Sequence, residues 1–217
     1  MNARHDPNGG SAADSGPGRA TDRPRLSRER ICDAGRAQIE AVGLEGLSLR
    51  EVARSLDVTA AALYAHVDGK AGLVAAVAES AFGGLAERFG EIDEADPVER
   101  IRAQCRVYVA YALEAPELYR VMMRFAPGLP DVASVGRPIP AFDPATKVFD
   151  EAMGAVADAI DQGRFIESDP LIGALTLWAA THGVIETRLM GFDLPDDMAS
   201  RLVDSVIETT LRGLIVD

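Results

Sequence analysis

Apolar side chains recur every three or four residues along almost the whole chain from Ser27 onwards. This spacing places them on one face of an α-helix, whereas no stretch shows the period of two that is typical of a β-strand. Helices are predicted at about 28–41, 49–56, 59–66, 69–89, 97–112, 116–125, 148–160, 169–190 and 196–215. The pattern therefore predicts an all-α fold.

Residue types at the predicted helix ends agree with these boundaries. Ser27 and Thr59 are expected to be N-caps, because a hydroxyl oxygen there accepts a hydrogen bond from a backbone N–H that has no partner within the helix. Gly43 is expected to stop the first helix. Ser48 and Glu51 have the spacing of a capping box, in which the carboxylate reaches back to the N–H of the cap residue.

Two segments lack helical periodicity. Residues 1–24 are rich in Gly, Ser, Ala, Asp and Pro and have no aliphatic side chain larger than that of alanine after Met1, so we expect a disordered tail. The segment 127–144 contains five prolines and is expected to be a loop. We therefore expect a tail, a small helical domain at 25–70 and a larger helical domain at 71–217.

Acidic side chains are concentrated in the larger of these domains. The chain has 22 lysines and arginines against 34 aspartates and glutamates, which gives a net charge of −12. Residues 1–70 contain ten of each sign, so the excess lies entirely in residues 71–217. This balance excludes a uniformly basic nucleic-acid coat and a polybasic membrane anchor. It leaves DNA binding by a neutral domain open, because exposed charges farther than roughly 8 Å away are largely screened.

The sequence offers no pattern that indicates an enzyme or a metal site. His5, His66 and His182 are far apart, as are Cys32 and Cys105, and neither His-x-x-x-His nor Cys-x-x-Cys spacing occurs. No glycine-rich phosphate loop follows a predicted strand. We expect no catalysis, cofactor or metal. Isolated thiols, the lack of an apolar leader and a longest apolar run of ten residues predict a cytoplasmic protein without a membrane span.

The helices predicted at 49–56 and 59–66, with a third helix ahead of them, fit a helix-turn-helix arrangement. In such a motif one helix enters the DNA major groove, which is about 12 Å wide, and the preceding helix braces it. The side chains expected to form the shared core are Val52, Ala53, Leu63 and Val67, and those expected to face outward are Thr59, Ala60, Ala61, Tyr64 and Ala65.

Residues 47–73, LSLREVARSLDVTAAALYAHVDGKAGL, resemble the DNA-binding head of the TetR family of transcriptional regulators. The shared features are the hydroxyl residue and Arg that open the second helix, Val52-Ala53, Val58-Thr59, Leu63-Tyr64-x-His66, and Lys70 with Leu73. One departure is Asp57, which stands where the family usually has glycine in the turn. Aspartate tolerates a positive φ better than most residues, so we expect the turn to form.

The resemblance implies roles for individual residues of this head. The residues expected to bind phosphate are Ser48, Tyr64, His66 and Lys70, and those expected to meet base edges are Arg50, Thr59, Ala60 and Ala61. An arginine that binds guanine through two hydrogen bonds discriminates by roughly 1–3 kcal/mol, so Arg50 is expected to supply much of the specificity. Tyr64 as an aromatic at the edge of the core, and His66 as an ordinary surface histidine, are the alternatives.

A second resemblance covers the C-terminal half of the chain. The segment WAATHG, with Trp178, His182 and Gly183, resembles a Trp-x-x-x-His-Gly signature found in one group of TetR regulatory domains. Helical spacing puts Trp178 and His182 on the same face, one turn apart. The residues expected to line a ligand cavity are Tyr108, Met122, Phe125, Phe149, Met153, Trp178 and His182. The alternative is a core tryptophan beside a hydrogen-bonded histidine.

Together the resemblances imply a three-helix DNA-binding head followed by a helical domain for effector binding and dimerisation. The expected protein is a homodimer, joined through helices 169–190 and 196–215, that binds a pseudo-palindromic operator. It is expected to act as a repressor that releases the operator when a small apolar effector binds. An activator, a regulator without a ligand, and a helical interaction protein with a vestigial head are the alternatives.

Overall fold

The computed structural model describes residues 25–125, 143–192 and 194–216. Over these ranges every regular element is a helix, and the only extended pairing is an isolated bridge between Phe165 and Ile215. The helices are α1 (Arg28–Val42), α2 (Leu49–Ser55), α3 (Ala60–Leu63), α4 (Gly69–Gly90), α5 (Pro97–Glu114), α6 (Pro116–Met123), α7 (Asp143–Asp161), α8 (Pro170–Leu189) and α9 (Asp196–Leu214). The prediction of an all-α fold is confirmed. The expected tail and most of the proline-rich segment 127–144 lie outside the described residues.

The ends of α1 and α3 follow the predictions. Ser27 Oγ accepts a hydrogen bond from the Arg30 N–H at 3.2 Å, and Thr59 Oγ1 accepts one from the Ala62 N–H at 3.3 Å. Gly43 follows α1 at a φ of 73°, a left-handed value that glycine adopts without steric cost. The caps predicted for these two helices, and the stop after α1, are confirmed.

The predicted capping box at the start of α2 is wrong. Ser48 does occupy the N-cap position, but its side chain makes no cap hydrogen bond. Its backbone N–H donates to Oε1 of Gln38 on α1 at 3.1 Å, so this donor is not left for Glu51. Glu51 pairs with Arg54 one turn further along α2 instead. A partner from another helix has replaced the local one.

The turn between α2 and α3 forms with Asp57 at a φ of 56°, as the resemblance implied. Helix α3 is shorter than predicted and ends at Leu63. It continues as hydrogen-bonded turns, in which the N–H groups of His66 and Val67 both donate to the Leu63 carbonyl, at 2.9 and 3.0 Å. The shared core predicted for these helices is confirmed, since its four members are buried: Val52, Ala53, Leu63 and Val67.

Helices α1–α3 form what we call the head, and α4 joins it to the body, which comprises α5–α9. Near its start α4 packs against α1, and Leu73 belongs to the same core as Ile31. Gly35 lies where the two helices meet, and a Cβ there would be 2.8 Å from Leu73 Cδ1. The far end of α4 contributes Phe89 to a core within the body. Helix α4 is therefore common to the cores of both parts.

Helices α5, α7, α8 and α9 pack against one another in the body. Polar links join α5 to α9 on the outside of this core. Arg102 Nε lies 2.7 Å from Glu208 Oε1, and Arg106 lies 3.0 Å from Asp204. Hydrogen bonds to the Glu208 carboxylate raise the pKa of Arg102, so the guanidinium stays charged. Within the described ranges, no helix combines the length and the apolar composition that a membrane span needs.

Candidate DNA-binding face and internal cavity

The exposed side of α3, with the turns that follow it, is the first candidate site. Tyr64 is 61% exposed, and Thr59, Ala61 and His66 are exposed as well. The expectation that Ala60 faces fully outward is corrected. Ala60 is half-buried against the core of the head, because it lies three residues before the buried Leu63 and on the same side of the helix.

The start of α4 lies next to this exposed surface. At Gly69, where φ is 67°, an added Cβ would be 4.0 Å from the Tyr64 ring. Lys70 Nζ donates to the backbone carbonyl of Glu45 at 3.2 Å, which places the start of α4 beside the segment that leads into α2. The structure thus brings Tyr64 and Lys70 to neighbouring positions at one end of the head.

Ser48 and Arg50 lie at the start of α2 and differ in exposure. Arg50 is exposed, and within the described ranges no ion pair involves its guanidinium. Arg54, on the same helix, is paired with Glu51. Ser48 is half-buried, and its hydroxyl is not used to cap the helix. Of the two arginines of α2, Arg50 is therefore the one that is available to a DNA ligand.

The body contains a second candidate site, a cavity of about 90 Å³ between α4, α5, α6, α7 and α8. Its apolar walls are Phe82, Leu85, Phe89, Ile101, Cys105, Met123, Ala145, Val148, Phe149, Ala152, Val156, Ala174 and Leu177. Side chains with polar groups are few: Gln104, Tyr108, Trp178 and Thr181. A mostly apolar enclosure with a few polar groups is typical of small-molecule sites.

Three of the seven residues expected in this cavity line it, namely Tyr108, Phe149 and Trp178. The structure places the other four elsewhere. Met122 is buried in the core beside the cavity, and Phe125 packs at the margin of the head and body cores. Met153 faces the core formed with α9, and His182 lies behind Tyr108 and Trp178.

The sequence reasoning missed the contribution of α4, which supplies Phe82, Leu85 and Phe89 to the cavity wall. It also missed Gln104 and Thr181, which are the two buried polar residues of the described chain. Helical spacing could have found Gln104, because it lies three residues after Ile101 and four before Tyr108 on α5.

His182 belongs to a chain of hydrogen bonds that runs from the cavity wall to the protein surface. The Tyr108 hydroxyl donates to His182 Nδ1 at 3.0 Å, and His182 Nε2–H donates to the Tyr119 hydroxyl at 2.8 Å. Tyr119 in turn donates to Glu186 Oε1 at 2.8 Å. The Trp178 ring lies 4.4 Å from the imidazole, centroid to centroid. This geometry favours the alternative of a hydrogen-bonded histidine for His182, whereas Trp178 itself lines the cavity.

The hydrogen-bonded chain is consistent with an uncharged imidazole. Burial lowers the pKa of His182, and the Glu186 carboxylate offsets part of that shift. Burial also raises the pKa of Tyr108 and of Tyr119, so both hydroxyls keep their protons. Each proton in this series of hydrogen bonds then has one acceptor, and Nδ1 of His182 is unprotonated.

A three-helix head with a helix-turn-helix, carried on a larger helical body, is the architecture of a DNA-binding regulator. Residues 31–77 match the family model described as bacterial regulatory proteins, tetR family. Residues 101–210, half of the chain, match the model described as tetracyclin repressor-like, C-terminal domain. The chain belongs to the TetR family. Members of this family are DNA-binding transcriptional regulators and not enzymes, so both of these predictions are confirmed.

Solved structures agree with this assignment. A protein of unknown function from Rhodococcus is 26% identical, with a TM-score of 0.75 over 89% of this chain and 98% of its own. SmeT, the repressor of the Stenotrophomonas maltophilia multidrug efflux pump SmeDEF, is 23% identical, with a TM-score of 0.64 over 90% and 93%. Bacillus subtilis FadR, solved in complex with stearoyl-CoA, is 16% identical, with a TM-score of 0.66 over 85% and 98%. No curated protein matches the chain.

Proposed function

We propose that this protein is a ligand-responsive repressor. A homodimer binds a pseudo-palindromic operator through its two heads, and a small, mostly apolar effector that enters the body cavity causes release. The observation that carries the proposal is that α4 belongs both to the core of the head, through Leu73 and Val77, and to the cavity wall, through Leu85 and Phe89. This helix has 22 residues and spans about 33 Å.

The size of the cavity supports a mechanical link between ligand and head. A dry protein cavity of about 150 Å³ holds one benzene molecule, whereas this one measures about 90 Å³. A larger effector has to push the walls apart, and close-packed helices respond by shifting rather than by compressing. Displacing α4 moves the head of each protomer. A coupling of about 1–3 kcal/mol weakens operator binding by about 5–150-fold.

In the proposed complex the exposed end of the head contacts one half-site. Ser48, Tyr64, His66 and Lys70 bind phosphates, while Arg50, Thr59 and Ala61, with the partly exposed Ala60, meet base edges. Twofold symmetry sets the half-sites about 34–36 Å apart, or somewhat more, so that both heads enter successive major grooves. We assign residues 25–70 to this DNA-contacting unit and residues 71–217 to effector binding and dimerisation in the cytoplasm.

The proposed dimer interface uses α8 and α9. Both helices keep large apolar side chains exposed in the single chain: Leu171, Ile172, Leu175 and Met198. Large apolar side chains exposed on neighbouring helices are typical of interfaces between subunits. Pairing α8 and α9 with those of a second copy would cover these side chains as a four-helix interface.

Two relatives agree with the two halves of the proposal. SmeT is a repressor, and FadR is seen with stearoyl-CoA bound. A protein of the same fold therefore binds a small-molecule ligand.

Fluorescence anisotropy with a labelled fragment of the DNA upstream of the gene tests the DNA-binding half. We expect Arg50→Ala and Tyr64→Ala each to weaken binding by about 5–150-fold, from the loss of contacts of about 1–3 kcal/mol. Lys70→Ala should also lower the slope of log affinity against log salt by about one. Arg120→Ala, an exposed arginine of α6, is the matched control and should bind as the wild type does. Unchanged binding by all three head variants would show that the face is misassigned.

A further inference from the structure

Gln104 is the least expected residue of the cavity wall. Its side chain is 5% exposed and lines the cavity from α5. Within the described ranges no hydrogen bond involves its amide, and the only fully enclosed side-chain nitrogen or oxygen without a partner is Arg100 Nε. The Gln104 amide therefore keeps a little accessible surface, and Gln104 is one of the side chains that line the cavity. A buried polar group left without a partner destabilises the folded protein.

The other polar groups of the wall already have partners, and the Trp178 indole N–H is hydrogen-bonded to the Tyr108 hydroxyl. The Tyr108 hydroxyl donates to His182 Nδ1. The Thr181 hydroxyl donates to the carbonyls of Leu177 and Trp178 on its own helix, at 2.9 and 3.0 Å. Burial raises the pKa of the Cys105 thiol to about 12, so that group stays neutral. Gln104 is thus the wall residue with a free NH₂ donor and a free carbonyl acceptor.

The charge of the wall limits which ligands fit. None of the side chains that line the cavity in the described ranges is charged at neutral pH. An isolated carboxylate or ammonium in such an apolar site would lose its hydration without gaining an ion pair. A neutral group that exchanges hydrogen bonds with an amide has no such penalty.

We propose that Gln104 is the polar anchor of the cavity, and that the effector is a compact uncharged molecule with one carbonyl, hydroxyl or carboxamide group on an apolar skeleton. Calling this ligand an effector rests on the proposed function. The binding preference of the cavity does not depend on it. The apolar skeleton packs against the aliphatic and aromatic walls, and the polar group satisfies the Gln104 amide. Gln104 then determines specificity between ligands of the same shape.

Trp178 is the only tryptophan of the chain and lies in the cavity wall, so its fluorescence reports on binding there. Two probes of nearly equal shape, cyclopentanone and methylenecyclopentane, differ in a C=O against a C=CH₂ group. Both are titrated into the wild type, Gln104→Leu and Thr181→Val. Each probe has the same hydration in all titrations. The change in the ratio of the two dissociation constants between wild type and variant therefore isolates the contribution of the substituted side chain.

We expect this ratio to shift at least tenfold against the ketone in Gln104→Leu. Thr181→Val should keep the wild-type ratio, because its hydroxyl proton is taken by α8 carbonyls. Cyclopentanecarboxylate should not bind. A ratio that is the same in the wild type and Gln104→Leu, or no fluorescence change with either uncharged probe, would overturn the proposal.

A second measurement needs no variant. In the wild type, the side-chain amide NMR signal of Gln104 should shift on saturation with cyclopentanone and stay nearly unchanged with methylenecyclopentane; equal shifts would contradict the anchor. These tests contain no DNA. A ligand that shows the Gln104 preference yet leaves operator binding unchanged would therefore refute the repressor mechanism and leave the anchor in place.

Discussion

The candidate residues of the head come from one short segment of the sequence, whereas those of the cavity in the body come from several helices. The head presents them on one short stretch of chain, residues 48–70, at an exposed end. The cavity in the body is lined by five helices, α4 and α5–α8, with wall residues between Phe82 and Thr181. Exposed side chains of the head can change without disturbing packing, whereas each cavity residue is also part of a core. Binding in the body is therefore coupled to helix position, and this coupling is what regulation requires.

The largest effect is expected from the core of the head. Leu63 lies on the buried side of α3 and is fully buried, so Leu63→Ala should lower the free energy of unfolding by about 2–5 kcal/mol and abolish DNA binding. Thermal unfolding and anisotropy measure both effects. Ile166→Ala, at an exposed position of the body, should stay within about 0.5 kcal/mol of the wild type. A Leu63→Ala variant as stable as this control would mean that the head lacks the packed core described.

A smaller loss is expected at the turn of the head. Asp57 has a φ of 56°, where a β-branched side chain is strongly disfavoured. Asp57→Val should lower the free energy of unfolding by about 1–2 kcal/mol, as measured by thermal unfolding. Asp57→Asn is the matched control and should be nearly neutral, because asparagine also tolerates left-handed backbone. If valine were accepted without loss, the turn would have to adopt another conformation.

Filling the cavity should abolish ligand binding in the body without changing DNA binding by the head. Ala152 lines the cavity from α7, and Ala152→Leu adds three carbons to a space of about 90 Å³. We expect a gain of about 1 kcal/mol in stability from added burial, loss of the probe-induced Trp178 fluorescence change, and unchanged operator affinity. Ala110→Leu, at an exposed position of α5, should leave the fluorescence response intact. An Ala152→Leu variant that still binds probes at Trp178 would rule out this cavity as the site.

The smallest effect expected is a dependence of body stability on pH. Burial lowers the pKa of His182 in the folded state, so below pH about 6.5 the unfolded chain binds a proton that the folded chain does not. Stability should be full above that pH and should fall as pH decreases towards the folded-state pKa. Thermal unfolding of wild type and His182→Gln at pH 7.5 and 5.5 measures this. An equal drop in both proteins would show that other groups cause it.

The sequence predicted the head better than the body, and the reason is locality. The caps of Ser27 and Thr59 and the core of α2 and α3 depend on residues a few positions apart. The capping box failed at the one place where a distant residue, Gln38, takes the N–H of Ser48. Ala60 is half-buried because it lies on the same side of α3 as Leu63, and how far that side is covered depends on packing against the rest of the head.

In the body, helical stripes identified which side chains face inward but not which neighbour each one meets. Tyr108 and Trp178 were placed at the cavity because they share helix faces with apolar residues. Met153 has the same pattern, yet it packs towards α9 because of how α7 is rotated against its neighbours. Gln104 was overlooked because a polar residue within an apolar stripe has meaning only once the space in front of it is known.

The central claim, that the cavity and the operator-binding head are coupled, is tested most directly by measuring the two affinities in both orders. Operator affinity is measured with and without the tightest ketone found by Trp178 fluorescence, and ketone affinity with and without operator. We predict that each ligand weakens the other by the same factor, between about 5 and 150, and that Ala152→Leu abolishes the effect on operator binding. If Trp178 fluorescence shows that the cavity is saturated with ketone and operator affinity does not change, the account is contradicted.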